Sequence, residues 1–327
     1  MDILVCPACR GELADTCDAG SYACISCGRS YPVFEGHASF VAADEMGEFA
    51  RWQMDIYDGN RPDLAPPDYS DLERVRSHNE GSVEVTRACG ALSPNWKGMK
   101  SREVVDRLGP QPGELVLDVG CGLGTLLDTM AAAYGTMGVG IDLGHAGLKA
   151  AIACNTSGHG FHEADALNLP FRDGAFDLVV SYDVIEHVDD PARFVSEMAR
   201  ALRPGGRLLV YTPSARDRWT WHWWERLLLR GRYNLGMDNL AGHDPDRFLE
   251  PGRLAALLEE AGLERVGTES FHSLFTLIFD EVYPGFFYRV LRRARFVRPV
   301  FRMLENADSP LSSWGYGNGF FAWGWKS

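Results

Sequence analysis

The stretch GELVLDVGCGLGTLLDTMAA (residues 113–132) predicts a strand, a turn and a helix in succession. It begins with LVLDV, a near-continuous apolar run that is typical of a central parallel strand covered on both faces. Gly120, Gly122 and Gly124 follow, and they allow the turn to approach a ligand without a clash from Cβ atoms. Nucleotide-binding folds of several kinds use such a turn, so the turn alone does not identify the ligand.

Acidic residues follow the next two predicted strands. Asp142 ends the strand MGVGID, 22 residues after Gly120, where its carboxylate can accept hydrogen bonds from both hydroxyls of a ribose. Asp165 lies just past a third strand in FHEADALNLPF, where it can accept a hydrogen bond from the exocyclic amine of adenine. Either acid alone could be a helix cap or a solvated loop residue. Their spacing at successive strand ends predicts a nucleoside site, because ligands bind at the carboxyl ends of parallel strands.

Two later segments extend the same alternating pattern. FDLVVSYDVIEHVDDP (176–191) is an apolar strand that ends in polar residues, and RPGGRLLVYTPS (203–214) gives a glycine turn and a fifth strand. In combination, these segments resemble the class I S-adenosylmethionine-dependent methyltransferases, especially the group related to quinone-biosynthesis and small-molecule enzymes. DVGCGLG, GIDLG and EADALNLPF are similar to the first three motifs of that family. The resemblance covers residues 101–270.

The resemblance implies an α/β fold and a set of cofactor contacts. The expected fold is a Rossmann-like sheet of seven strands with helices on both faces and an antiparallel last strand, for which GNGFFAWGWK (317–326) is the candidate. The implied cofactor residues are Asp118, Gly120, Cys121, Gly122 and Gly124 for the methionine part, Asp142 and Leu143 for the ribose, Asp165 and Ala166 for the adenine, and Ser181 and Asp183 for the sulfonium side.

Methyl transfer requires mainly that the acceptor atom be aligned with the methyl–sulfur bond. A general base is needed only where the acceptor atom carries a proton at neutral pH. His187 and His243 are the candidate bases, although each could have only a structural role. SYDVIEH stands where amide and base N-methyltransferases carry an asparagine-proline-proline-tyrosine type motif, which argues against those enzymes.

Two pairs of cysteines near the N-terminus predict a metal site. Cys6 and Cys9 form CPAC, and Cys24 and Cys27 form CISC. Two such pairs can present four thiolates tetrahedrally to one Zn²⁺, with every coordination position filled by the protein. We therefore expect a structural zinc, which a segment of about 40 residues needs because its own core is small. Residues 1–42 resemble the zinc-ribbon proteins that bind and activate several RNA and protein methyltransferases.

The predicted organisation has three parts. A zinc ribbon occupies residues 1–42, and a methyltransferase domain occupies residues 101–327. The segment 43–100 between them is either a lid over the cofactor and substrate or only a connector. The methyltransferase domain carries insertions at about 214–250 and about 271–313.

The two insertions have unusual compositions. The first holds four tryptophans within residues 219–224, which could cover an apolar substrate or pack as an ordinary helix. The second holds six arginines and no acid within residues 286–302. A basic amphipathic helix of this kind could contact a membrane surface, bind an anionic substrate or a nucleic acid, or pair with an acidic surface of the protein.

The net charge of −13 bears on the partners of the protein. A protein that neutralises phosphates needs a basic face, so we do not expect nucleic acid as the substrate. Without a membrane-spanning stretch or a signal-peptide pattern, the expected location is cytoplasmic, with peripheral membrane contact as an option. The predicted function is methyl transfer to a small or lipid-linked metabolite, at oxygen or carbon. An RNA methyltransferase, a non-catalytic ribbon scaffold and an NAD dehydrogenase remain alternatives.

Overall fold

The N-terminal part of the computed structural model is a small antiparallel sheet. Its strands are β1 (Leu13–Thr16), β2 (Ser21–Cys24), β3 (Ser30–Phe34) and β4 (His37–Ala38), each paired with the next. The structure describes residues 3–16, 20–34, 36–41, 46–60, 69–92, 96–220, 223–224, 227–228, 245–271 and 297–327.

A second sheet has seven strands and forms the centre of the protein. Its strands are β5 (Leu115–Val119), β6 (Met137–Asp142), β7 (Gly160–Glu163), β8 (Phe176–Tyr182), β9 (Leu202–Pro213), β10 (Leu263–Phe271) and β11 (Gly319–Lys326). The spatial order is β10-β11-β9-β8-β5-β6-β7. β5 to β9 run parallel, and β11 is antiparallel to both of its neighbours. The predicted seven-stranded Rossmann-like sheet with an antiparallel last strand is confirmed.

Helices precede, connect and flank these strands. They are α1 (Glu48–Tyr57), α2 (Leu72–Cys89), α3 (Trp96–Leu108), α4 (Thr125–Tyr134), α5 (His145–Cys154), α6 (Pro191–Ala201), α7 (Pro251–Glu260) and α8 (Val297–Ser313), with 3₁₀ turns at Ile185–His187 and Pro245–Arg247. The start of α6 has a clear local cause: the Asp190 side chain accepts from the backbone N–H of Arg193, and Pro191 occupies the first turn. Among the described helices, none has the length and apolarity needed to cross a bilayer.

Alternate residues of the central strands bury their side chains in opposite layers. Leu117 and Val179 belong to the layer that also contains the buried residues of α6 and α7. Val116 and Leu178 belong to the opposite layer, together with buried residues of α3, α4 and α5. The sheet is therefore covered on both faces, as the continuous apolar run LVLDV predicts.

The ribbon covers the edge of the central sheet at β7. Ser39 pairs in parallel with Glu163, and the backbone N–H of Phe40 donates to the Glu163 carbonyl at 2.7 Å. Leu4 pairs antiparallel with Phe171, further along the chain. An edge strand otherwise presents unpaired N–H and C=O groups, so the ribbon satisfies part of this edge.

The two insertions are described only in part. Trp219, Trp223 and Trp224 pack on one another, with ring centroids 4.7 to 5.7 Å apart. Trp221 lies outside the described residues. Most of the arginine-rich segment 286–302 also lies outside them, and its membrane contact stays a prediction.

A partly buried acid on α6 ties the ribbon to the central domain. Arg10 of the ribbon donates to both carboxylate oxygens of Glu197 at 2.7 Å, and Arg200 donates to both at 3.0 Å. The backbone N–H of Leu169 donates to the same carboxylate at 2.9 Å. Burial by itself would raise the pKa of Glu197, but Arg200 and Arg10 outweigh it and hold the pKa below its ordinary value.

We expect Glu197→Gln to lower the free energy of unfolding by about 1–3 kcal/mol at neutral pH, because two guanidinium groups lose their anionic partner. The folded-state pKa lies below the unfolded one, so the contribution is present above the unfolded pKa and is lost as pH falls through the folded pKa. Urea unfolding as a function of pH should therefore show the variant and the parent converging in acid. The matched control is Glu260→Gln, which removes an exposed pair with Arg253 and should cost about 0–1 kcal/mol. Equal losses in the two variants would contradict this role for Glu197.

Candidate cofactor site

The glycine turn after β5 is tied to the end of the neighbouring strand β6. The backbone N–H groups of Gly120 and Cys121 both donate to the Ile141 carbonyl, at 2.8 and 2.9 Å. Gly120 has φ +81°, and a Cβ added there would lie 2.2 Å from Cγ2 of Val184. Glycine is required at this position by backbone conformation and by space.

Asp142 connects this turn to the loop that follows β6. Its Oδ2 accepts from the Gly122 N–H at 2.8 Å, and its Oδ1 accepts from the Gly144 N–H at 2.8 Å. Burial raises the pKa of Asp142, while these backbone N–H groups and that of Leu143 oppose the rise. A carboxylate has about four acceptor positions, so Asp142 can also accept from ligand hydroxyls on the cavity side.

A cavity opens at the carboxyl ends of β5, β6 and β7, next to Asp142. It lies where the parallel strands of this kind of sheet leave room for a ligand. Seven of the predicted cofactor residues line it: Gly120, Gly122, Asp142, Leu143, Asp165, Ala166 and Asp183. The candidate base His187 also lines it, whereas His243 lies outside the described residues.

Four predicted cofactor residues are not among the residues that line the cavity: Asp118, Cys121, Gly124 and Ser181. The Ser181 hydroxyl donates to the Val119 carbonyl at 2.8 Å and so joins β8 to β5. Gly124 has φ +70° and precedes the first residue of α4. Direct contact with a ligand remains a prediction for all four.

Asp118 is fully buried beneath the turn. Burial raises the pKa of Asp118 to about 8, and the negative charge of Asp142 adds to the rise. The Asp118 carboxyl therefore gives up its proton less readily than an exposed aspartic acid does.

The Asp165 carboxylate organises the loop after β7. Its Oδ1 accepts from the Leu167 N–H at 2.9 Å, and its Oδ2 accepts from the Asn168 side-chain amide at 3.1 Å. Both bonds stay within the loop, so the carboxylate is held in place at the cavity edge. Ala166, the next residue, is also part of the lining.

Helix α1, from the segment between the ribbon and the sheet, forms the opposite wall. Ala50, Gln53, Met54 and Tyr57 line the cavity. Their spacing of three, four and seven residues from Ala50 is that of one helical face. None of these four residues was predicted as part of the site, although their helical spacing could have indicated a shared face.

Two tyrosines of the same segment face the acidic end of the cavity. Tyr57 and Tyr69 both line it, and Asp142 contributes to the raised pKa of each hydroxyl. Burial is the larger cause, and together they raise the pKa of Tyr69 to about 12. Both hydroxyls therefore remain protonated donors at neutral pH. Asp58, at the end of α1, accepts from the Ala146 N–H at 3.0 Å and anchors this helix to α5.

The candidate base His187 lies against the first turn of α1. Its ring stacks on Phe49 with centroids 6.5 Å apart. The guanidinium of Arg247 lies 4.0 Å from the Phe49 ring centroid and donates to the Val188 carbonyl. Arg247 therefore clamps α1 onto the turn that carries His187.

Asp183 has an unusual backbone conformation at the end of β8. Its φ is +55°, a region that non-glycine residues seldom adopt, and its N–H donates to the Tyr211 carbonyl at 2.9 Å. Lys97 of α3 forms a salt bridge with its carboxylate at 2.5 Å. Strained residues of this kind persist where the surrounding contacts fix them, often at functional sites.

The four N-terminal cysteines form a separate cluster in the ribbon. Their Sγ atoms all lie within 4.8 Å of one another, with Cys6 and Cys27 3.7 Å apart and Cys9 and Cys24 3.5 Å apart. Tetrahedral zinc with Zn–S bonds of about 2.3 Å places its sulfur ligands about 3.8 Å apart. The cluster therefore fits the predicted structural zinc.

Comparison with known proteins places both parts of the chain. Residues 117–210 match a family model described as a methyltransferase domain, and residues 1–36 match a model described as a Trm112p-like protein. The chain is 35% identical over 164 residues to a ubiquinone biosynthesis O-methyltransferase of Aromatoleum aromaticum, covering 49% of this chain and 68% of that protein. This chain belongs to the class I S-adenosylmethionine-dependent methyltransferases. The predicted family and its cofactor are confirmed, as is the likeness of the ribbon to the methyltransferase activators.

Two further similarities of this methyltransferase involve other methyltransferases. It is 42% identical over 102 residues to the chloroplastic tocopherol O-methyltransferase of Arabidopsis thaliana, which covers 30% of this chain and 29% of that protein. A solved structure of phosphoethanolamine N-methyltransferase 2 from Haemonchus contortus is 18% identical, with a TM-score of 0.49. That match covers 70% of this chain and 52% of the nematode protein. The chain thus spans only part of these two relatives.

Replacement of one zinc ligand tests the metal centre. We expect Cys24→Ser to lower bound zinc by one equivalent per chain and to open the ribbon to proteases, because metal binding and folding are coupled in such small domains. Metal analysis and limited proteolysis measure the two effects. Cys154→Ser, at a buried cysteine outside the cluster, is the matched control and should retain the metal. Full zinc content in Cys24→Ser would rule out this four-sulfur site.

Proposed function

We propose that this protein transfers the methyl group of S-adenosylmethionine to a small or lipid-linked acceptor, at oxygen or carbon. One observation carries the proposal: Asp142, Asp165 and the glycine turn border a single cavity at the carboxyl ends of the parallel strands. The cofactor supplies an activated methyl group on a sulfonium. The task left to the protein is to hold both reactants in line and exclude water.

Different residues of the cavity wall would bind different parts of the cofactor. Asp142 would hold the ribose hydroxyls, and Asp165 with the backbone of Ala166 would hold the adenine. The backbone of Gly120 and Gly122 would follow the methionine part. The sulfonium and the acceptor would then occupy the end of the cavity that Asp183 and His187 line.

The contacts of helix α1 support a role for this helix as a lid over the cavity. It carries four residues of the cavity wall, and its ends are held separately, by Arg247 near Phe49 and by Asp58 at Ala146. A helix held at both ends can shield the reaction centre from water while its apolar face contacts the acceptor. Ala50 and Met54 give that face an apolar character, which suits a lipid-linked or aromatic acceptor.

His187 is the proposed general base for an acceptor that carries a proton. Its Nε2 lies 3.9 Å from Oε1 of the buried Glu186, whose Oε2 accepts from Thr212 at 2.9 Å. A carboxylate this close favours the protonated imidazole that forms when the base takes a proton. Oxygen as the acceptor atom has some support from the relatives, which include O-methyltransferases of ubiquinone biosynthesis and of tocopherol.

The ribbon has a proposed supporting role inside the same chain. It pairs with the edge at Glu163, directly before Ala164 and Asp165 of the cavity wall. Zinc would stabilise the ribbon, and the docked ribbon would hold the adenine side of the cavity in place. This role requires no nucleic acid, in keeping with the net charge of −13.

Cofactor affinity tests the assignment of the ribose. We expect Asp142→Ala to weaken S-adenosylhomocysteine by about 1–3 kcal/mol, roughly 5- to 150-fold in Kd, through lost charge-assisted hydrogen bonds. Isothermal titration calorimetry on the folded, zinc-loaded protein measures it. Asp106→Ala is the control, because Asp106 is exposed and pairs with Arg102 away from the cavity. Unchanged affinity in Asp142→Ala would place the ribose elsewhere, and tighter binding of NAD than of S-adenosylmethionine would favour a dehydrogenase.

Transfer of a labelled methyl group tests the activity and the base. S-adenosylmethionine with a tritiated methyl group is incubated with the protein and, separately, a cellular lipid extract or purified total RNA. We expect label in the lipid extract and a decrease of about 10²–10⁴-fold in rate for His187→Ala, with an unchanged Kd for S-adenosylhomocysteine. Label in RNA alone would support the RNA methyltransferase instead. An undiminished rate in His187→Ala would leave the imidazole a structural role.

A further inference from the structure

Three side chains from the ribbon and the central domain meet beside the cofactor cavity. His37 belongs to β4, Glu163 ends β7, and His145 begins α5. One ligand atom from each of the three lies within 4.8 Å of the ligand atoms of the other two. This group is separate from the cysteine cluster, and the motifs of the sequence did not reveal it.

We propose that His37, His145 and Glu163 bind a divalent metal ion of the zinc type at the junction of the ribbon and the central domain. Two imidazoles and one carboxylate are a donor set that zinc and neighbouring first-row ions accept readily. With three protein ligands, a fourth position is left for water. The site therefore differs from the closed four-sulfur site in the ribbon.

The distances agree with coordination of one ion. Nδ1 of His145 and Oε2 of Glu163 are 3.1 Å apart. Two ligands of a tetrahedral ion at about 2.0–2.1 Å lie about 3.3 Å apart. The ring centroids of His37 and His145 are 5.8 Å apart, and two imidazoles on one such ion place their centroids roughly 5–6 Å apart.

The backbone holds the ligands in position without the ion. Ser39, two residues after His37, pairs with Glu163, and the Phe40 N–H donates to the Glu163 carbonyl at 2.7 Å. The Ala38 N–H donates to Nδ1 of His162 at 3.3 Å, which fixes β4 against β7 from a second point. Such preorganisation keeps the cost of ordering the ligands low when a metal binds.

The exposure of the three side chains suits an ion that is held inside the protein and reached from solvent. His37 is 1% exposed and Glu163 is 9% exposed. A metal ion bound here would use one lone pair from each imidazole and one from the carboxylate. The His145 side chain is 44% exposed, which gives the ion a path from solvent.

The position of the site gives it a structural consequence. Gly144 and Ala164, which adjoin His145 and Glu163, both line the cofactor cavity. An ion bound here would join the ribbon to the two loops that carry the ribose and adenine contacts. The proposed metal site follows from these contacts, whatever the identity of the methyl acceptor.

Cobalt titration of the full chain tests the proposal. The cysteine cluster is first filled with one equivalent of zinc per chain, which four thiolates bind in preference to two imidazoles and a carboxylate, and which Co²⁺ displaces poorly because its affinity is lower. We expect one further equivalent of Co²⁺ to bind, with the weak visible bands of nitrogen and oxygen ligands and without a thiolate charge-transfer band. His145→Ala should weaken this binding at least about tenfold, as expected for loss of one of three protein ligands. His145 is the position of choice because its exposed side chain can be removed without opening the core.

Two further variants make the outcome decisive. His145→Cys should restore Co²⁺ binding and add a thiolate charge-transfer band, which a purely structural histidine would not produce. His78→Ala, at an imidazole on α2, is the control for adventitious binding and should bind Co²⁺ like the parent. The proposal is overturned if the zinc-loaded chain binds no further Co²⁺, or if His145→Ala binds it as tightly as the parent.

Discussion

The carboxylate of Asp142 is the contact on which the rest of the site depends. It accepts backbone hydrogen bonds from Gly122, in the turn after β5, and from Gly144, before α5. Two loops that leave neighbouring strands are thereby held at a fixed separation. Since Asp58 accepts from the Ala146 N–H, helix α1 is fixed to the same loop. The turn, Asp142 and the helix opposite them consequently form one connected unit.

The edge strand β7 presents backbone groups that need hydrogen-bond partners, and the ribbon supplies some of these partners. β7 is the last strand of the parallel half, and its end leads directly into Asp165 and Ala166 of the cavity wall. Ser39 pairs with this edge, and Arg10 binds the partly buried Glu197 of α6. A small domain with a four-cysteine cluster therefore supports one side of a cavity formed by a much larger domain. The same docking brings two histidines and an acid together.

Much of the fold could be predicted because its strands are apolar runs that end in glycine or acidic residues. The sequence also indicated part of the cavity wall, since Asp142 and Asp165 follow strands whose carboxyl ends meet. It could not tell which way Ser181 points, because alternate residues of a strand face opposite layers. The segment 43–100 was predicted as either a lid or a connector, but the mixed polarity of α1 hid which of its residues face the cavity. The meeting of His37 with Glu163 depends on pairing between segments far apart in the chain, which no local pattern encodes.

The central claim is that one cavity holds the cofactor with its ribose at Asp142 and its sulfur toward His187. A crystal structure of the full chain with S-adenosylhomocysteine tests it most directly. The account predicts ribose hydroxyls within hydrogen-bond distance of the Asp142 carboxylate, adenine beside Asp165 and Ala166, and the sulfur facing the wall formed by α1 and His187. A nucleoside bound away from Asp142, or in the reverse orientation with adenine at His187, would contradict it.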